Sequence, residues 1–261
     1  MSGPLDPQNF VALKLKKITP YNHNASKFTF ELPDNQASNI PIASCIVVKS
    51  TDAEALKDGE GKPIIRPYTP ISTPDTPGEL TLLIKRYEAG NASKHIHSLK
   101  VGDSLSVKGP IAKFPYKINE FDEVAFIGGG TGIAPFYQVL TYALGNKENK
   151  TKFKLIFSNI TEKDILLREE LDALKAQFPE TFDIVYLVDQ PSEQWTGPSG
   201  YITAEHIKKY VGAPLTNIKI FVCGPPPQVA SLAGAKDGPK QGVFGGILKD
   251  LGYTEEQVFK F

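Results

Sequence analysis

Two patterns of apolar and polar residues divide the chain. Up to about residue 118 the apolar positions form short runs, at 11–17, 27–32, 43–50, 79–87 and 104–109, rich in branched side chains and often alternating with polar ones. A period of two is what a strand with one face on a core requires. Turn residues punctuate the runs, as in Pro33-Asp34-Asn35 and Pro77-Gly78. Short strands spaced in this way predict an antiparallel barrel or sandwich. Residues 51–63 are polar, hold Asp58-Gly59 and Glu60-Gly61, and read as a mobile loop. One helix is expected to intrude at 93–99, where Ile96 and Leu99 lie three apart.

After Phe121 the grammar changes. Apolar runs at 124–127, 154–157, 182–188 and 218–222 alternate with helical stretches at 134–144, 164–178, 203–210 and 245–251. The second stretch carries Ile165, Leu167, Leu171, Leu174 and Phe178, with Thr161 or Asp164 near its N-cap. Strand and helix in alternation predict a parallel sheet with helices on both faces. The expected organisation is an N-terminal antiparallel β-barrel domain over 1–118 and a C-terminal α/β, Rossmann-like domain over 119–261. Residues 119–121 join them without a long linker, so the halves are expected to pack, with a cleft between them as the natural ligand site.

Composition narrows the class. With 261 residues, 41% hydrophobic and 22% charged, the chain is a soluble globular protein. A formal net charge of zero argues against non-specific binding to nucleic acid. No apolar run approaches the roughly 18 residues of a membrane helix, and no signal-peptide pattern opens the chain. Met1-Ser2-Gly3-Pro4 reads as a trimmed start. Charge is uneven: residues 1–118 hold 15 Lys/Arg against 11 Asp/Glu, and residues 119–261 hold 14 against 18. That is either the chance split of a neutral chain or a steering field for an acidic partner. Cys45 and Cys223 are the only cysteines, which fits a reducing compartment and no disulfide framework.

Three segments carry candidate chemistry. In Val124-Ala125-Phe126-Ile127-Gly128-Gly129-Gly130-Thr131-Gly132-Ile133-Ala134-Pro135 an apolar run meets a glycine turn and a helix start. Backbone N–H groups in such a turn can approach a phosphate or a flat ring. It is neither a P-loop nor the usual dinucleotide fingerprint, since no Gly-Lys-Ser/Thr follows and the glycine spacing differs. Arg66-Pro67-Tyr68-Thr69-Pro70 sets a guanidinium and a ring two apart on an extended segment, hence on one side. Leu83, Lys85 and Tyr87 likewise share a strand face. Gly90-Asn91-Ala92-Ser93 opens the first helix, where Ser93 serves an anion site or simply a cap. Cys223-Gly224-Pro225-Pro226 follows the run at 218–222. The four histidines lack metal-ligand spacing, so no metal is expected.

These segments together resemble the flavoprotein reductases typified by ferredoxin reductase. Within that family, Arg66-Pro67-Tyr68-Thr69-Pro70-Ile71-Ser72, the glycine turn, Thr161-Glu162-Lys163-Asp164-Ile165-Leu166-Leu167 and the terminal Gln257-Val258-Phe259-Lys260-Phe261 are similar to the NADH–cytochrome b5 reductase branch. Ala43-Ser44-Cys45 and Gly109-Pro110-Ile111-Ala112-Lys113 look most like its fungal mitochondrial members. The likeness runs over about residues 11–261.

The resemblance implies FAD as prosthetic group, NADH as donor and cytochrome b5 as acceptor. It implies that Arg66, Pro67, Tyr68, Thr69, Leu83, Lys85, Tyr87, Gly90, Asn91, Ala92, Ser93 and Thr131 hold FAD. Gly129, Gly130, Thr131, Gly132, Asp189, Cys223, Gly224, Pro225 and Pro226 are implied to hold the nicotinamide dinucleotide. Thr69, Lys85, Thr131 and Cys223 would lie nearest the chemistry, and Asp189 would select NADH by repelling a 2′-phosphate. The plainer readings are a buried structural Cys223 and a surface turn at Asp189. Lys94 and Lys113, with Lys27, Lys100 and Lys108, are candidates for a surface that meets an acidic haem protein. Relatives carry Gly-Lys-Met-Ser at the helix start and Gly-x-His near Cys45, so a lysine contact to the phosphate is in doubt and Cys45 reads as core. His23 resembles a family segment near the flavin. A monomer is expected, with a longer form associated with the mitochondrial outer membrane and intermembrane space or the endoplasmic reticulum. The rival readings are another NAD(P)H reductase of the same architecture, serving ferredoxin or cut from a nitrate reductase, and a non-catalytic redox-sensing module.

Overall fold

The computed structural model describes residues 3–261; Met1 and Ser2, read above as part of a trimmed start, lie outside them. The chain divides into two compact units, Met1–Tyr116 and Lys117–Phe261.

The first unit is a six-stranded antiparallel sheet. Its strands are β1 (Val11–Pro20), β2 (Ala25–Glu31), β3 (Ser44–Ser50), β4 (Arg66–Tyr68), β5 (Glu79–Lys85) and β6 (Ser104–Ala112), with helix α1 (Asn91–Ser98) between the last two. The order across the sheet is β4-β3-β6-β1-β2-β5. Past β4 the chain turns back to β5: Ile71 N–H donates to the Thr81 carbonyl at 2.9 Å, and Thr81 N–H donates to Ser72 Oγ at 3.0 Å. These bonds tie the segment past β4 to β5, bringing the two ends of the sheet together as in a barrel. Alternation drives the core. Leu13 and Leu15, Phe28 and Phe30, Ile46 and Val48, Leu80, Leu82 and Ile84, and Leu105 and Val107 all point inward. The segment predicted at 79–87 ends as a strand at Lys85, and α1 starts two residues before the predicted 93, behind Gly90.

The second unit is a parallel five-stranded sheet. Its strands are β7 (Glu123–Gly129), β8 (Lys152–Asn159), β9 (Phe182–Val188), β10 (Ile218–Cys223) and β11 (Val258–Lys260), in the order β11-β10-β7-β8-β9. Helices α2 (Ile133–Leu144), α3 (Arg168–Gln177), α4 (Ala204–Tyr210), α5 (Pro226–Ala233) and α6 (Gly246–Asp250) complete it. Strand β7 is buried along its whole length, so its apolar run is unbroken. Period two still sorts its faces. Ala125 and Ile127 join a cluster with Ile207, Val229 and Leu248 from α4, α5 and α6. Phe126 on the opposite face meets Phe136 of α2 at 4.9 Å, Phe153 at 6.1 Å and Phe221 at 5.7 Å.

Three departures from the sequence reading have physical causes. The helix expected at 164–178 is split: a 3-10 turn spans Glu162–Asp164, Leu167 takes φ 56°, and α3 begins at Arg168. Ile165, Leu166 and Leu167 are consecutive and all buried, which no single helix face allows. Helix α5 was not expected; prolines crowd its start, where a first turn tolerates them, having no N–H bond to lose there. Strand β11 follows from a buried cation. Lys260 is 3% exposed, and its Nζ donates to the carbonyls of Ala233 and Gly234 at 3.2 Å and of Ala235 and Val243 at 3.4 Å. Its three N–H groups share these four carbonyls, from the end of α5 and the segment before α6, in place of the water that an ammonium would otherwise keep.

Candidate functional site

In the first unit, β4 places the arginine–tyrosine pair. Tyr68 lies opposite Ile46 and Arg66 opposite Val48, so the two side chains share one side of the strand. Tyr68 is half-buried against the barrel core. Burial pushes its phenol up to about 12, against the opposing pull of Arg66, with Tyr87 adding to the rise. The phenol is therefore neutral at any working pH and keeps its O–H donor. Arg66 is exposed; Nη1 donates to its neighbour's carbonyl, Ile65, at 2.9 Å, and its remaining N–H groups have no partner among the described residues.

The turn into α1 lies close in sequence. Ser93 is buried, and its Oγ accepts from Tyr87 N–H at 3.0 Å and donates to the Gly90 carbonyl at 2.9 Å. Its hydroxyl thus shapes the turn. The N-cap is Gly90, and no side chain caps the helix, which leaves its first N–H groups for an anion. A Cβ at Gly90 would lie 2.7 Å from Ser93 Oγ. Leu83 is buried, Lys85 half-buried and Tyr87 exposed. His23 sits in the β1–β2 turn, its Nε2 2.9 Å from Asn24 Nδ2. His97 binds the Ile84 carbonyl at 2.9 Å and packs edge-on to Phe28.

In the second unit the chemistry gathers at the carboxyl ends of the strands. Chain order runs outward from β7 to β8 and β9, then returns to β10 on its other side. The crevice at such a reversal is where open α/β sheets bind ligands. Cys223 pairs in register with Gly128 there, so the glycine turn and Cys223-Gly224-Pro225-Pro226 are neighbours. Packing explains most of the glycines. A Cβ at Gly128 or Gly132 would overlap the Cys223 carbonyl, and one at Gly129 would lie 2.5 Å from Gln228 Oε1. Gly130 alone of the four, at φ +54°, has open space around it. Gly128, Gly129 and Gly132 thus form a tight strand-to-turn junction beside Cys223 and Gln228. Cys223 keeps some accessible surface, but burial pushes its thiol up to about 12, only partly offset by Lys236. It is a neutral thiol, not a nucleophile.

Asp189 follows β9, its N–H bound to the Asn159 carbonyl at 2.9 Å, and burial raises its carboxyl above the ordinary range. Two exposed apolar residues flank it that the sequence reading did not single out. Gln190 N–H bonds to the Ile160 carbonyl at 2.8 Å, and Gly200 N–H bonds to Val188 at 2.9 Å, bringing Tyr201 back beside the strand end. Ile160 is 50% exposed and Tyr201 80%. Ser192 binds Glu162 Oε1 through both N–H (2.9 Å) and Oγ (2.6 Å), which fastens the loop and holds the Glu162 carboxyl below its usual value.

Comparison with known proteins covers both units. Residues 12–116 match the model described as oxidoreductase FAD-binding domain, and residues 126–233 match oxidoreductase NAD-binding domain. The fold and the two matched models define an oxidoreductase with an FAD-binding and an NAD-binding domain. NADH-cytochrome b5 reductase 2 of Mycosarcoma maydis is 47% identical, over 99% of this chain and 74% of its own length; that of Coccidioides immitis is 46% identical, over 97% and 78%. The chain belongs to the NADH-cytochrome b5 reductase family. Among solved structures, the cytochrome b5 reductase domain of Ulva prolifera nitrate reductase superposes with a TM-score of 0.86 at 28% identity over all of both chains. A Neisseria gonorrhoeae ferredoxin NADP+ reductase with bound FAD and NADP shares the fold, at a TM-score of 0.72 and 18% identity over 97% of this chain and 98% of its own.

Proposed function

We propose that the chain is an NADH-dependent reductase of cytochrome b5 with FAD as its prosthetic group. The first unit suits that group: it offers an exposed guanidinium, an uncapped helix N-terminus and two tyrosine rings along one stretch of chain. FAD supplies the conversion of a two-electron donor into single-electron transfers, which no side chain performs. Arg66 and the N–H groups of Asn91, Ala92 and Ser93 would neutralise its pyrophosphate. Tyr68, Pro67 and Leu83 would lie along its ring and Thr69 would hydrogen-bond to it, with Lys85, Tyr87 and Thr131 at its margins.

The observation that carries the donor side is the register of Cys223 with Gly128 at the sheet's reversal. Gly129, Gly130, Thr131 and Gly132 with Cys223, Gly224, Pro225 and Pro226 would border the nicotinamide there. The neutral Cys223 thiol serves as a compact wall. Asp189 would accept from the adenosine ribose hydroxyls and repel a 2′-phosphate, with the adenine between Ile160 and Tyr201. Lys94 and Lys113 are half-exposed, without an ion pair among the described residues, and are proposed to meet the acidic partner. Lys27 and Lys108 lie over the rings of Tyr21 and Phe10 instead.

The domain limits at about residue 118, a monomeric state and a membrane-associated longer form at mitochondrion or endoplasmic reticulum belong to the same proposal. No helix among the described residues is long and apolar enough to cross a membrane. Purified protein that gains a flavin spectrum with FAD and is bleached by NADH, faster than by NADPH, meets the first test. Protein that takes up no FAD contradicts it.

A further inference from the structure

We infer, on the dinucleotide site proposed above, that Glu162 and Arg168 are positioning residues for its adenosine half. They hold the loop between Asp189 and Tyr201 in the shape that sets those two residues against the ligand. The loop needs holding. It leaves the sheet at the end of β9, and none of residues 190–200 is buried; only Trp195, Pro198 and Gly200 are partly covered. Such a segment has little apolar contact to offset the cost of ordering it, so its shape depends on hydrogen bonds and on what packs against it. Its ends carry the residues that the site uses. Asp189 precedes it, and Gly200 N–H returns to the Val188 carbonyl at 2.9 Å, with Tyr201 next.

Both tethers come from one stretch, residues 159–168. Three successive links zip it to the start of the loop. Asp189 N–H donates to the Asn159 carbonyl at 2.9 Å and Gln190 N–H to the Ile160 carbonyl at 2.8 Å. The third link is double: Glu162 Oε1 accepts from Ser192 N–H at 2.9 Å and from its Oγ–H at 2.6 Å. Arg168 holds the middle of the loop. Its guanidinium carbon lies 5.3 Å from the centre of the Tyr186 ring and 5.8 Å from that of Trp195. Asp172, one turn further along α3, accepts from the Tyr186 hydroxyl at 2.7 Å and pairs with Arg168 Nε at 3.8 Å, which keeps the cation over both rings. The indole in turn closes the loop on itself. Its Nε1 donates to the Pro198 carbonyl at 3.0 Å, and a Cβ at Gly197 would lie 2.6 Å from its ring. Ile160 belongs to the same anchoring stretch, so the tethers also fix the spacing between Ile160 and Tyr201.

Calorimetric binding of ADP and NAD+ to the FAD-loaded protein tests this without turnover. Trp195, the sole tryptophan, reports the loop through iodide quenching of its fluorescence. Glu162→Ala should weaken ADP and NAD+ by the same factor, about fivefold, and open Trp195 to iodide, with FAD content unchanged. Arg168→Ala should do the same through the Trp195 contact, by about threefold. Glu162→Gln keeps an Oε1 acceptor for both Ser192 donors and should bind ADP as wild type does. Unchanged ADP binding in either alanine variant overturns the inference, as does a loss of affinity with Trp195 no more accessible than in wild type. A loss in Glu162→Gln equal to that in Glu162→Ala also overturns it, because charge and not the tether would then be at work. Wild-type protein that binds neither ADP nor NAD+ contradicts the dinucleotide site itself, a separate failure.

Discussion

Arg66 and Asp189 show how single charges divide the work. Arg66 spends one N–H on its own neighbour's carbonyl and holds the rest for an anion. Arg66→Ala should therefore lower FAD affinity about ten- to a hundredfold, from one or two charge-assisted hydrogen bonds. Flavin retained through dialysis at wild-type stoichiometry and affinity contradicts that role. Asp189 carries a pH signature. Burial raises its carboxyl, so protonation sets in at higher pH than for a free aspartate. The neutral form cannot repel a 2′-phosphate. The preference for NADH in kcat/KM should thus narrow as pH falls toward the raised value, and Asp189→Asn should show the narrow ratio at every pH. A ratio that ignores both pH and the substitution would remove Asp189 as discriminator. Sequence spacing was enough to pair Arg66 with Tyr68, since alternation along a strand is local. It could not reveal that Tyr201 returns to the end of β9. That return is made by Gly200 N–H bonding to the Val188 carbonyl, a pairing local pattern does not show.

Elements record where local pattern and tertiary demand part. Five of the six barrel strands and the four apolar strands of the parallel sheet were legible because period two and unbroken apolar runs each belong to one environment. Helix α3 was misjudged because Ile165, Leu166 and Leu167 look like helix formers, while burial of all three forces the left-handed break at Leu167. Strand β11 depends on Lys260, and a lysine near a terminus ordinarily signals solvent. Here Gln241 clasps its backbone, accepting from Lys260 N–H at 2.7 Å and donating to its carbonyl at 2.9 Å, while the ammonium gathers the carbonyls of the segment after α5. Lys260→Met keeps the length and strands those acceptors. It should cost about 2–4 kcal/mol and lower the melting temperature on the order of 10 °C, with proteolysis opening at residues 235–241. A melting temperature within a degree of wild type would mean that water repairs the ring.

At the scale of the whole molecule, charge is the available argument. The net zero conceals an excess of cations over residues 1–118 and of anions beyond. Lys94 and Lys113 belong to the cationic part. Charge reversal at both should raise KM for cytochrome b5 severalfold at low salt, an effect that shrinks as salt screens it. Ferricyanide, a small acceptor, should be reduced as before. Equal losses with both acceptors would place the defect in the flavin site instead.

The central claim is that NADH reduces a flavin held by this chain and that cytochrome b5 reoxidises it. Anaerobic stopped-flow absorbance of the FAD-loaded protein tests it most directly, with NADH added first, NADPH in a parallel run, and oxidised cytochrome b5 last. The account predicts rapid bleaching by NADH, slow bleaching by NADPH, and return of the flavin band as the haem is reduced. A flavin band that NADH leaves unchanged, or that stays bleached when cytochrome b5 is added, would contradict it.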